Sequence, residues 1–428
     1  MLNMLTTRPR GTNDILPDEV LRWQYIEDVF RQLCQDYGFT EIRTPVFEHT
    51  ELFIRSVGEV TDIVTKEMYT FTDRGERSLT LRPEGTAAVA RAYLESGLKS
   101  GPQPAKLYYL GPMFRYDRPQ AGRYRQFHQG GVEIFGTNNP EADIEVIALA
   151  VDFYRRLGLQ NFELHLNSIG CKVCRPVLKE KLSFFFKTRQ KELCLNCQER
   201  LAYNPLRILD CKEPQDQEIA RGAPDSLSCL CPSCVAHFDA VLGYLKALKI
   251  PYLIDKQLVR GLDYYTRTTF EIMVADIGAQ SSIGGGGRYD DLVAALGGPP
   301  TPGIGFAVGL ERVLLTMNKQ NTPFPTPKNL DVFIVEADEE ASGAALELLF
   351  FVRAQGLSAD KDFLGRSLKA QMKYAAKKRA RFVVILGKEE LSRQIVSLKD
   401  LSSGEQREVS PAKIKEEIRR RYRQDIVT

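Results

Sequence analysis

The feature that most constrains the fold is the segment KLYYLGPMFRYDRPQAGRYRQFHQGGVEIFG at residues 106–136. Its first arm, residues 107–115, is aromatic and apolar with alternation, and its second arm, residues 126–135, alternates polar and apolar residues around glycines. Such period-two patterns predict β-strands. The Arg, Pro and Gly residues between the arms predict an irregular loop. The segment is therefore expected to form a long β-hairpin with a basic tip.

The two faces of the second arm differ in chemistry. Because side chains alternate along a strand, Gln129, Gly131 and Glu133 share one face. The opposite face, by the same alternation, carries His128, Gly130, Val132 and Ile134. That opposite face can pack on a core. Since Gly131 has no side chain, the first face is expected to leave room for a small molecule between an amide and a carboxylate. The alternative interpretation is a polar face in contact with solvent.

Arginine side chains lie close to this face in sequence. Arg115 ends the first arm, and the loop adds Arg118, Arg123 and Arg125. Guanidinium groups suit phosphate because they offer several N–H donors in a fixed fork. The sequence has no G-x-x-x-x-G-K-[ST] phosphate loop. Arginines are therefore the available phosphate-binding groups, and Arg115, Arg260 and Arg312 are spread over three segments that could converge.

These residues carry a resemblance to a known family. The hairpin resembles motif 2 of class II aminoacyl-tRNA synthetases, and Phe114-Arg115 with RPQAGRYRQFHQ at 118–129 is similar to the histidyl-tRNA synthetase version, a class IIa enzyme. Three other segments also resemble the family and follow one another in the family's order. They are RPEGT at 82–86, LVRGLDYYTRTTFE at 258–271, and GIGFAVGLERVLL at 303–315, which resembles motif 3. The resemblance covers nearly the whole chain. It implies an α+β catalytic domain with an antiparallel sheet, a helical insertion and a C-terminal α/β anticodon-binding domain.

The resemblance also implies residue roles. Arg115 and Arg260 would be catalytic, with Arg115 on the α-phosphate of ATP and Arg260 bridging that phosphate and the substrate carboxylate. Arg123 would also bind ATP, and Arg312 would stack on the adenine. The residues expected to bind histidine are Glu84, Thr86, Gln129, Glu133, Tyr264 and Tyr265. The residues expected near the tRNA acceptor end are Arg118, Gln120 and Arg123. An imidazole has one N–H and one lone pair, which Glu133 and Tyr265 could read.

The implied reaction is ATP-dependent activation of L-histidine to histidyl-adenylate, followed by transfer to the 3′ end of tRNA(His), with Mg²⁺ on the β- and γ-phosphates. A predicted helix at 18–37, ended by Gly38, and a predicted strand at 39–47 resemble motif 1, which implies a homodimer. Two alternatives are a catalytically inactive paralogue, such as the synthetase-like regulatory subunit of ATP phosphoribosyltransferase, and a non-catalytic tRNA-binding protein.

Charge is distributed unevenly along the 428 residues. Residues 361–428 hold 18 Lys or Arg against 9 Asp or Glu, a net charge of +9, so the first 360 residues sum to +3 − 9 = −6. A basic terminal segment predicts a polyanion partner, although a well-solvated helical surface has the same composition. In that segment Lys369, Lys373 and Lys377 share one helix face by their i, i+4 spacing. Such a stripe could follow RNA phosphates.

The sequence shows no secretory signal and no apolar run near the roughly 18 residues that span a bilayer. A cytoplasmic protein without membrane association is therefore expected.

Eight of nine cysteines lie between residues 171 and 234, and they include three C-x-x-C pairs. In the cytoplasm such cysteines are free thiols or metal ligands before they are disulfides. The zinc ligands proposed on this basis are Cys171, Cys174, Cys194, Cys197, Cys229, Cys231 and Cys234; reduced structural thiols are the alternative.

Four segments are expected along the chain. Residues 1–170 form the first part of the catalytic domain, and residues 171–245 form a Cys-rich helical insertion. Residues 246–322 complete the catalytic domain with the histidine-specific segments and motif 3. Residues 323–428 form the anticodon-binding α/β domain, after a Pro- and Asn-rich linker at 318–329.

Overall fold

The computed structural model describes residues 6–59, 61–275, 281–326 and 329–427, with the backbone alone for 423–427. The chain divides into two compact units, Met1–Pro325 and Thr326–Thr428. Within the described residues, helices long and apolar enough to cross a membrane are absent. Part of the predicted linker, residues 327 and 328, lies outside the described residues.

The first unit mixes helices and strands. Its helices are α1 (Pro17–Asp36), α2 (Thr50–Val57), α3 (Thr86–Glu95), α4 (Pro140–Arg156), α5 (Cys174–Lys187), α6 (Leu195–Tyr203), α7 (Pro214–Arg221), α8 (Pro232–Ala247), α9 (Leu292–Ala295) and α10 (Leu310–Lys319). Its strands are β1 (Thr40–Glu41), β2 (Phe47–His49), β3 (Tyr69–Thr72), β4 (Ser78–Leu81), β5 (Ala105–Phe114), β6 (Gln126–Phe135), β7 (Phe162–Ser168), β8 (Leu253–Ile254), β9 (Thr266–Val274), β10 (Ser282–Arg288) and β11 (Gly303–Gly309). Single helical turns occur at Ile63–Glu67, Leu98–Ser100, Gln190–Glu192, Pro205–Ile208 and Leu227–Cys229.

A mixed sheet organises this unit. Its strand order is β1-β5-β6-β11-β10-β9-β7-β8, and its pairs are antiparallel except β1 with β5 and β7 with β8. The predicted hairpin is confirmed as β5 and β6, with Tyr109 opposite Gly131 and Phe114 opposite Gln126. A smaller antiparallel sheet, β2-β4-β3, contains a second hairpin, formed by β3 and β4.

The two faces of the large sheet pack against different partners. One face packs on α1, α4, α8 and α10, and Phe30, Val132 and Ile134 are buried in that core. The assignment of Val132 and Ile134 to a core-facing side is therefore confirmed. On the opposite face, Tyr109 and Tyr265 belong to a second, more aromatic cluster. The apolar face thus anchors the sheet and leaves the other face for the polar groups described below.

Helix α1 begins and ends within one residue of the predicted bounds, 18–37. Pro17 occupies the first turn, where a missing N–H costs nothing, and Asp18 favours the positive end of the helix dipole. After Tyr37 the chain turns at Gly38, whose φ is 73°, and the N–H of Gly38 donates to the carbonyl of Gln35 at 2.9 Å. Glycine adopts this left-handed conformation without the steric cost of a Cβ.

The single strand predicted at residues 39–47 is wrong. The chain instead forms β1 and β2, separated by the irregular residues 42–46. Pro45 lies in that gap, and proline interrupts a strand because it has no N–H to donate to a neighbour. The two short strands enter different sheets.

The glycine run at residues 284–287 lies in a strand, β10, between β9 and β11. A Cβ at Gly286 would overlap the backbone carbonyl oxygen of Gly305 on β11. This carbonyl belongs to the sheet and cannot rotate away as a side chain can. Glycine at this position therefore allows two strands to approach closely.

The second unit is a compact α/β fold. Its strands are β12 (Leu330–Glu336), β13 (Ala359–Lys361), β14 (Ala380–Leu386), β15 (Val396–Asp400) and β16 (Gln406–Val409). Its helices are α11 (Ser342–Ala354), α12 (Leu368–Lys377), α13 (Lys388–Ser392) and α14 (Ile414–Val427), with single turns at Glu339–Ala341 and Pro411–Lys413. The sheet order is β13-β12-β14-β15-β16, parallel at β13-β12-β14 and antiparallel beyond. The predicted α/β alternation is confirmed.

The close approach at Gly286 yields a stability prediction. Gly286→Ala should destabilise the chain by about 1–3 kcal/mol, because the new methyl group must displace backbone. The measurement is the midpoint of urea unfolding. Gly243→Ala in α8 is the matched control: among the described residues, apart from the backbone of its own helix and its chain neighbours, nothing lies within 4 Å of its added Cβ. That helical substitution should be neutral or stabilising. Equal midpoints for the two variants would contradict this account.

Candidate active site

A cavity of about 390 Å³ opens on the face of the large sheet away from α1 and α4. Its lining comes from separate stretches of sequence: the β5–β6 hairpin, the turn before α3, residues 260–265, β10 and the start of α10. Arg115, Arg260 and Arg312 all line it. The convergence of three arginines that the sequence analysis expected is therefore present in one cavity.

Each arginine is held by a specific partner. The Nε of Arg115 donates to the carbonyl of Pro83 at 2.8 Å, and its guanidinium lies 5.4 Å from the ring centre of Phe127. Arg260 forms a close ion pair with Glu271. Arg312 donates from Nη1 to the carbonyl of Ser282 at 2.6 Å. These bonds orient the three guanidinium groups before any substrate is bound.

The electrostatics of the cavity favour an anion. Burial, together with the positive charges of Arg123 and Arg115, lowers the pKa of Arg312. Burial acts to lower the pKa of Arg260, but the carboxylate of Glu271 together with Tyr265 and Tyr264 raises the net pKa. Arg123 and Arg115 thus repel the charge of Arg312, and a phosphate group bound among them would relieve that repulsion.

The carboxylate of Glu84 lies at the amino end of α3. It accepts hydrogen bonds from the backbone N–H groups of Thr86 and Ala87, both at 2.8 Å. Burial raises the pKa of Glu84, and those two N–H groups oppose the shift. Gln129 lies nearby on β6, where its Oε1 accepts from the hydroxyl of Tyr109 at 3.3 Å. Glu84, Thr86 and Gln129 all line the cavity, so acceptors for an ammonium group are at hand.

The room expected above Gly131 is occupied, and that prediction is wrong. Tyr109 lies directly opposite on β5, and a Cβ at Gly131 would overlap its ring. The glycine thus accommodates a neighbouring aromatic ring. On the other face, a Cβ at Gly130 would lie 3.1 Å from the ring of Phe30, so Phe30 fills the space that a larger side chain would take.

Glu133 lies beneath the cavity and is 1% exposed. It is absent from the lining, whereas Tyr264 and Tyr265 are present. Its carboxylate accepts from the hydroxyl of Thr86 at 2.7 Å and from that of Tyr289. Burial raises the pKa of Glu133 to about 8, against the opposing effect of these hydroxyl donors. Near neutral pH this group is therefore largely protonated.

The hairpin loop carries residues that line the cavity and residues that face away from it. Arg123 lines the cavity and forms a close ion pair with Asp117. Arg118 and Gln120 are exposed and do not line it. The loop is closed by reciprocal backbone bonds between Gln120 and Arg123, of 3.1 and 2.9 Å. Arg118 and Gln120 are thus presented outward from the cavity mouth.

Sequence reasoning missed several cavity groups. Tyr289 holds Glu133, Glu271 holds Arg260, and Asp117 holds Arg123. The polar Glu271 in the otherwise apolar stretch of β9 was a usable signal. By contrast, Tyr289, the partner of Glu133, follows the glycine run at 284–287. Its contact with Glu133 depends on long-range packing, which the spacing of residues does not reveal.

The cysteines of residues 171–234 gather into two groups within the described residues. The first contains Cys171, Cys174, Cys231 and Cys234, and the second contains Cys194, Cys197, Cys211 and Asp216. Cys229, which the sequence analysis included among the zinc ligands, lies in neither group; its side chain packs in the small core of the insertion. Cys211 and Asp216 belong to the second group, although the sequence analysis did not propose either residue as a zinc ligand.

The large sheet is mostly antiparallel, and a basic hairpin loop and an arginine on a helix lie over one cavity. An α/β unit follows in the chain. Together these features define a class II aminoacyl-tRNA synthetase. The family profile described as Histidyl-tRNA synthetase matches residues 11–210 and 225–313, and the profile described as Anticodon binding domain matches residues 331–421. The chain belongs to the histidyl-tRNA synthetase family. The family and the fold class expected from sequence are thereby confirmed.

Curated relatives agree with this assignment. A histidine–tRNA ligase of Desulforamulus reducens is 62% identical over 407 residues, covering 95% of this chain and 97% of that protein. One from Pelotomaculum thermopropionicum is 60% identical over 403 residues, covering 94% and 95%. The structure of apo histidyl-tRNA synthetase from S. aureus is 41% identical, with a TM-score of 0.82, covering 97% of this chain and 100% of that one. An inactive regulatory paralogue is not favoured by these relatives.

The buried Glu133 yields a pH prediction. Its folded pKa of about 8 lies above the ordinary value, so the folded state holds an extra proton between about pH 4.5 and 8. This contribution to stability is present at low pH and is lost as pH rises through that window. Glu133→Gln should flatten the fall in melting temperature between pH 5 and 8. The exposed Glu76→Gln is the control, and parallel profiles for Glu133→Gln and the parent would refute the prediction.

Proposed function

We propose that this chain activates L-histidine with ATP to histidyl-adenylate and then transfers the histidyl group to the 3′ end of tRNA(His). The observation that carries the proposal is the convergence of Arg115, Arg260 and Arg312 on one cavity. Membership of the histidyl-tRNA synthetase family points to the same reaction. Class II synthetases in general use ATP and Mg²⁺.

The first step brings a carboxylate onto the α-phosphate of ATP, so two anions must meet while charge builds on the phosphoryl oxygens. Fixed cations meet that demand, and the protein needs to supply little covalent chemistry. In our proposal Arg115 holds the α-phosphate from the end of β5. Arg260 bridges the phosphate and the histidine carboxylate, which requires it to exchange its ion pair with Glu271 for substrate oxygens.

The nucleotide is proposed to lie between the hairpin and α10. Arg312 stacks on the adenine, and Arg123 reaches the phosphates from the loop. Mg²⁺ suits this region because it prefers carboxylate oxygens. Glu271 and Glu311 line the cavity, and Glu311 Oε2 is buried without a hydrogen-bond partner among the described residues. These two would hold Mg²⁺, which neutralises charge on the β- and γ-phosphates when bound.

The amino acid is proposed to lie deeper, with its ammonium group on Glu84, Thr86 and Gln129. Tyr264 and Tyr265 form the wall beside it, with ring centres 4.7 Å apart. Tyr265 and Glu133 read the two ring nitrogens of the imidazole. For Glu133 this requires exchanging its bond to Thr86 for one to the substrate. A site of this kind rejects an apolar competitor because buried polar groups would be left unpaired.

Transfer to tRNA is proposed to use the outward-facing loop, with Arg118, Gln120 and Arg123 near the acceptor stem. In the second unit, Lys369, Lys373 and Lys377 are exposed on α12 and would contact anticodon-arm phosphates. The four predicted segments then act as two catalytic parts, an insertion and an anticodon-binding module.

The working form is proposed to be a cytoplasmic homodimer. The small β2-β4-β3 sheet supports a self-interface, because Phe47 and Phe71 are 51% and 44% exposed and lie edge to face with ring centres 6.4 Å apart. Exposed aromatic pairs of this kind are common where two chains meet. The segment that resembles motif 1, and so implies a homodimer, ends at Phe47, the first residue of β2.

The role of Arg260 is tested by Arg260→Ala. Histidine-dependent exchange of pyrophosphate into ATP should fall by about 10²-fold or more, the scale for loss of a preorganised charge at the reacting centre. The exposed Arg155→Ala, near the end of α4, is the control and should exchange like the parent. Activity of Arg260→Ala within about threefold of the parent, with circular dichroism unchanged, would refute the role.

The lysine stripe is tested by the salt dependence of tRNA binding. Replacing Lys369, Lys373 and Lys377 by Ala should weaken binding and reduce the slope of log K against log salt by about 0.7–0.9 for each phosphate that is no longer neutralised. The charge-matched control replaces Lys388, Arg393 and Arg407, each of which is paired with a carboxylate on the same unit. An equal change in slope for both triple variants would attribute the effect to net charge and contradict the stripe.

A further inference from the structure

We propose that the insertion holds two structural zinc ions, one in each of the two groups of sulfur and oxygen ligands. We call them the four-thiolate site, formed by Cys171, Cys174, Cys231 and Cys234, and the mixed-ligand site, formed by Cys194, Cys197, Cys211 and Asp216. In each group all four ligand atoms lie within 4.8 Å of one another. Four thiolates, or three with a carboxylate, are ligand sets that zinc accepts.

The spacing in the four-thiolate site matches a tetrahedral ion. Cys171 Sγ lies 3.8 Å from Cys174 Sγ and 3.9 Å from Cys231 Sγ. A Zn–S bond of about 2.3 Å places tetrahedral sulfurs about 3.8 Å apart. These separations are well beyond the roughly 2.05 Å of a disulfide. An iron–sulfur cluster with several metal atoms would hold the sulfurs farther apart, because its metal atoms lie between them.

Backbone N–H groups support the same assignment. The N–H of Cys231 donates to Cys174 Sγ at 3.0 Å, and that of Val173 donates to Cys171 Sγ at 3.4 Å. Donors aimed at sulfur stabilise thiolates and orient them toward an ion. Cys231 immediately precedes α8 and Cys174 begins α5, so this site joins the start of the insertion to the start of its last helix.

The mixed-ligand site lies in the middle of the insertion. Cys194 Sγ is 3.9 Å from Cys211 Sγ, and Cys211 Sγ is 3.2 Å from Asp216 Oδ2. The other oxygen of Asp216 accepts from the backbone N–H of Cys194 at 3.0 Å, which fixes the carboxylate. Asp216 is 1% exposed, so its charge requires compensation that a divalent cation supplies.

Both sites have closed sets of four ligands, which is typical of structural zinc and leaves no position for a reacting water. The insertion needs such support because its own apolar core is small, made mainly of residues such as Leu178, Leu182, Phe186 and Ile208. Small segments with little core depend on cross-links or metals for stability.

The zinc sites are placed to position the amino-acid side of the cavity. Arg175, next to Cys174, donates to the carbonyls of Asp263 and Tyr265 at 3.0 and 3.2 Å. From the other part of the insertion, Asn204 donates to the carboxylate of Asp263 at 2.9 Å. Tyr265 lines the cavity. The insertion therefore holds the segment that carries Arg260 and Tyr265 against the sheet.

The test is metal analysis of the full chain purified without chelator, by plasma mass spectrometry. We expect about two zinc ions per chain. Cys231→Ser and Cys211→Ser should each remove about one, whereas Cys229→Ser, the matched control in the same insertion, should retain both. Cobalt(II) substitution should give the intense thiolate charge-transfer and tetrahedral ligand-field bands, each weakened in the matching variant.

Less than about half an equivalent of zinc in the parent chain would overturn both sites, even if the serine variants failed to fold. One equivalent that is lost in Cys231→Ser and kept in Cys211→Ser would retain the four-thiolate site and overturn the mixed-ligand site; the reverse pattern would do the opposite. Equal zinc loss in Cys229→Ser and Cys231→Ser would contradict the ligand assignment. Iron in place of zinc would refute the identity of the metal.

Discussion

The repulsion among arginines gathered in one partly buried cavity is the constraint on which the rest of the structure depends. Arg115, Arg260 and Arg312 come from three distant stretches of sequence and line the same space. Backbone carbonyls hold two of them, and Glu271 holds the third. In our proposal, the phosphate groups of ATP and the carboxylate of the amino acid therefore meet counter-charges that are already oriented.

The sheet supplies the rigidity that this arrangement needs. Its apolar face is anchored on α1 and α4, while its other face carries the substrate groups. Glycines allow the close packing that brings these groups together: Gly286 lets β10 approach β11, and Gly131 accommodates the ring of Tyr109. Polar groups just beneath the cavity, such as Glu133 with Tyr289, are held by short-range bonds that only this packing creates.

Local patterns in the sequence predicted much of this. The hairpin arms, their two faces, helix α1 with its Gly38 end and the α/β alternation of the second unit all follow from periodicity and turn chemistry, which act over a few residues. Pro45 divides the strand that was predicted at 39–47. The apolar pattern around it favours one strand, but proline has no N–H to donate to a neighbouring strand. The arginines were identified by type and by family resemblance, and their convergence was an expectation that depended on the fold.

Features that depend on contacts between distant residues could not be predicted. No spacing indicates that Tyr109 covers Gly131, or that Glu133 lies below the cavity under Thr86. The cysteine pattern suggested metal ligands but not their division into two groups, since Cys211 and Asp216 join Cys194 only after the insertion has folded. The most direct test of the central claim is a crystal structure of the chain with a non-hydrolysable histidyl-adenylate analogue. Our account predicts the phosphoryl group within about 3 Å of both Arg115 and Arg260, with the adenine on Arg312. A phosphoryl group outside the reach of both, with Arg260 still paired to Glu271, would contradict it.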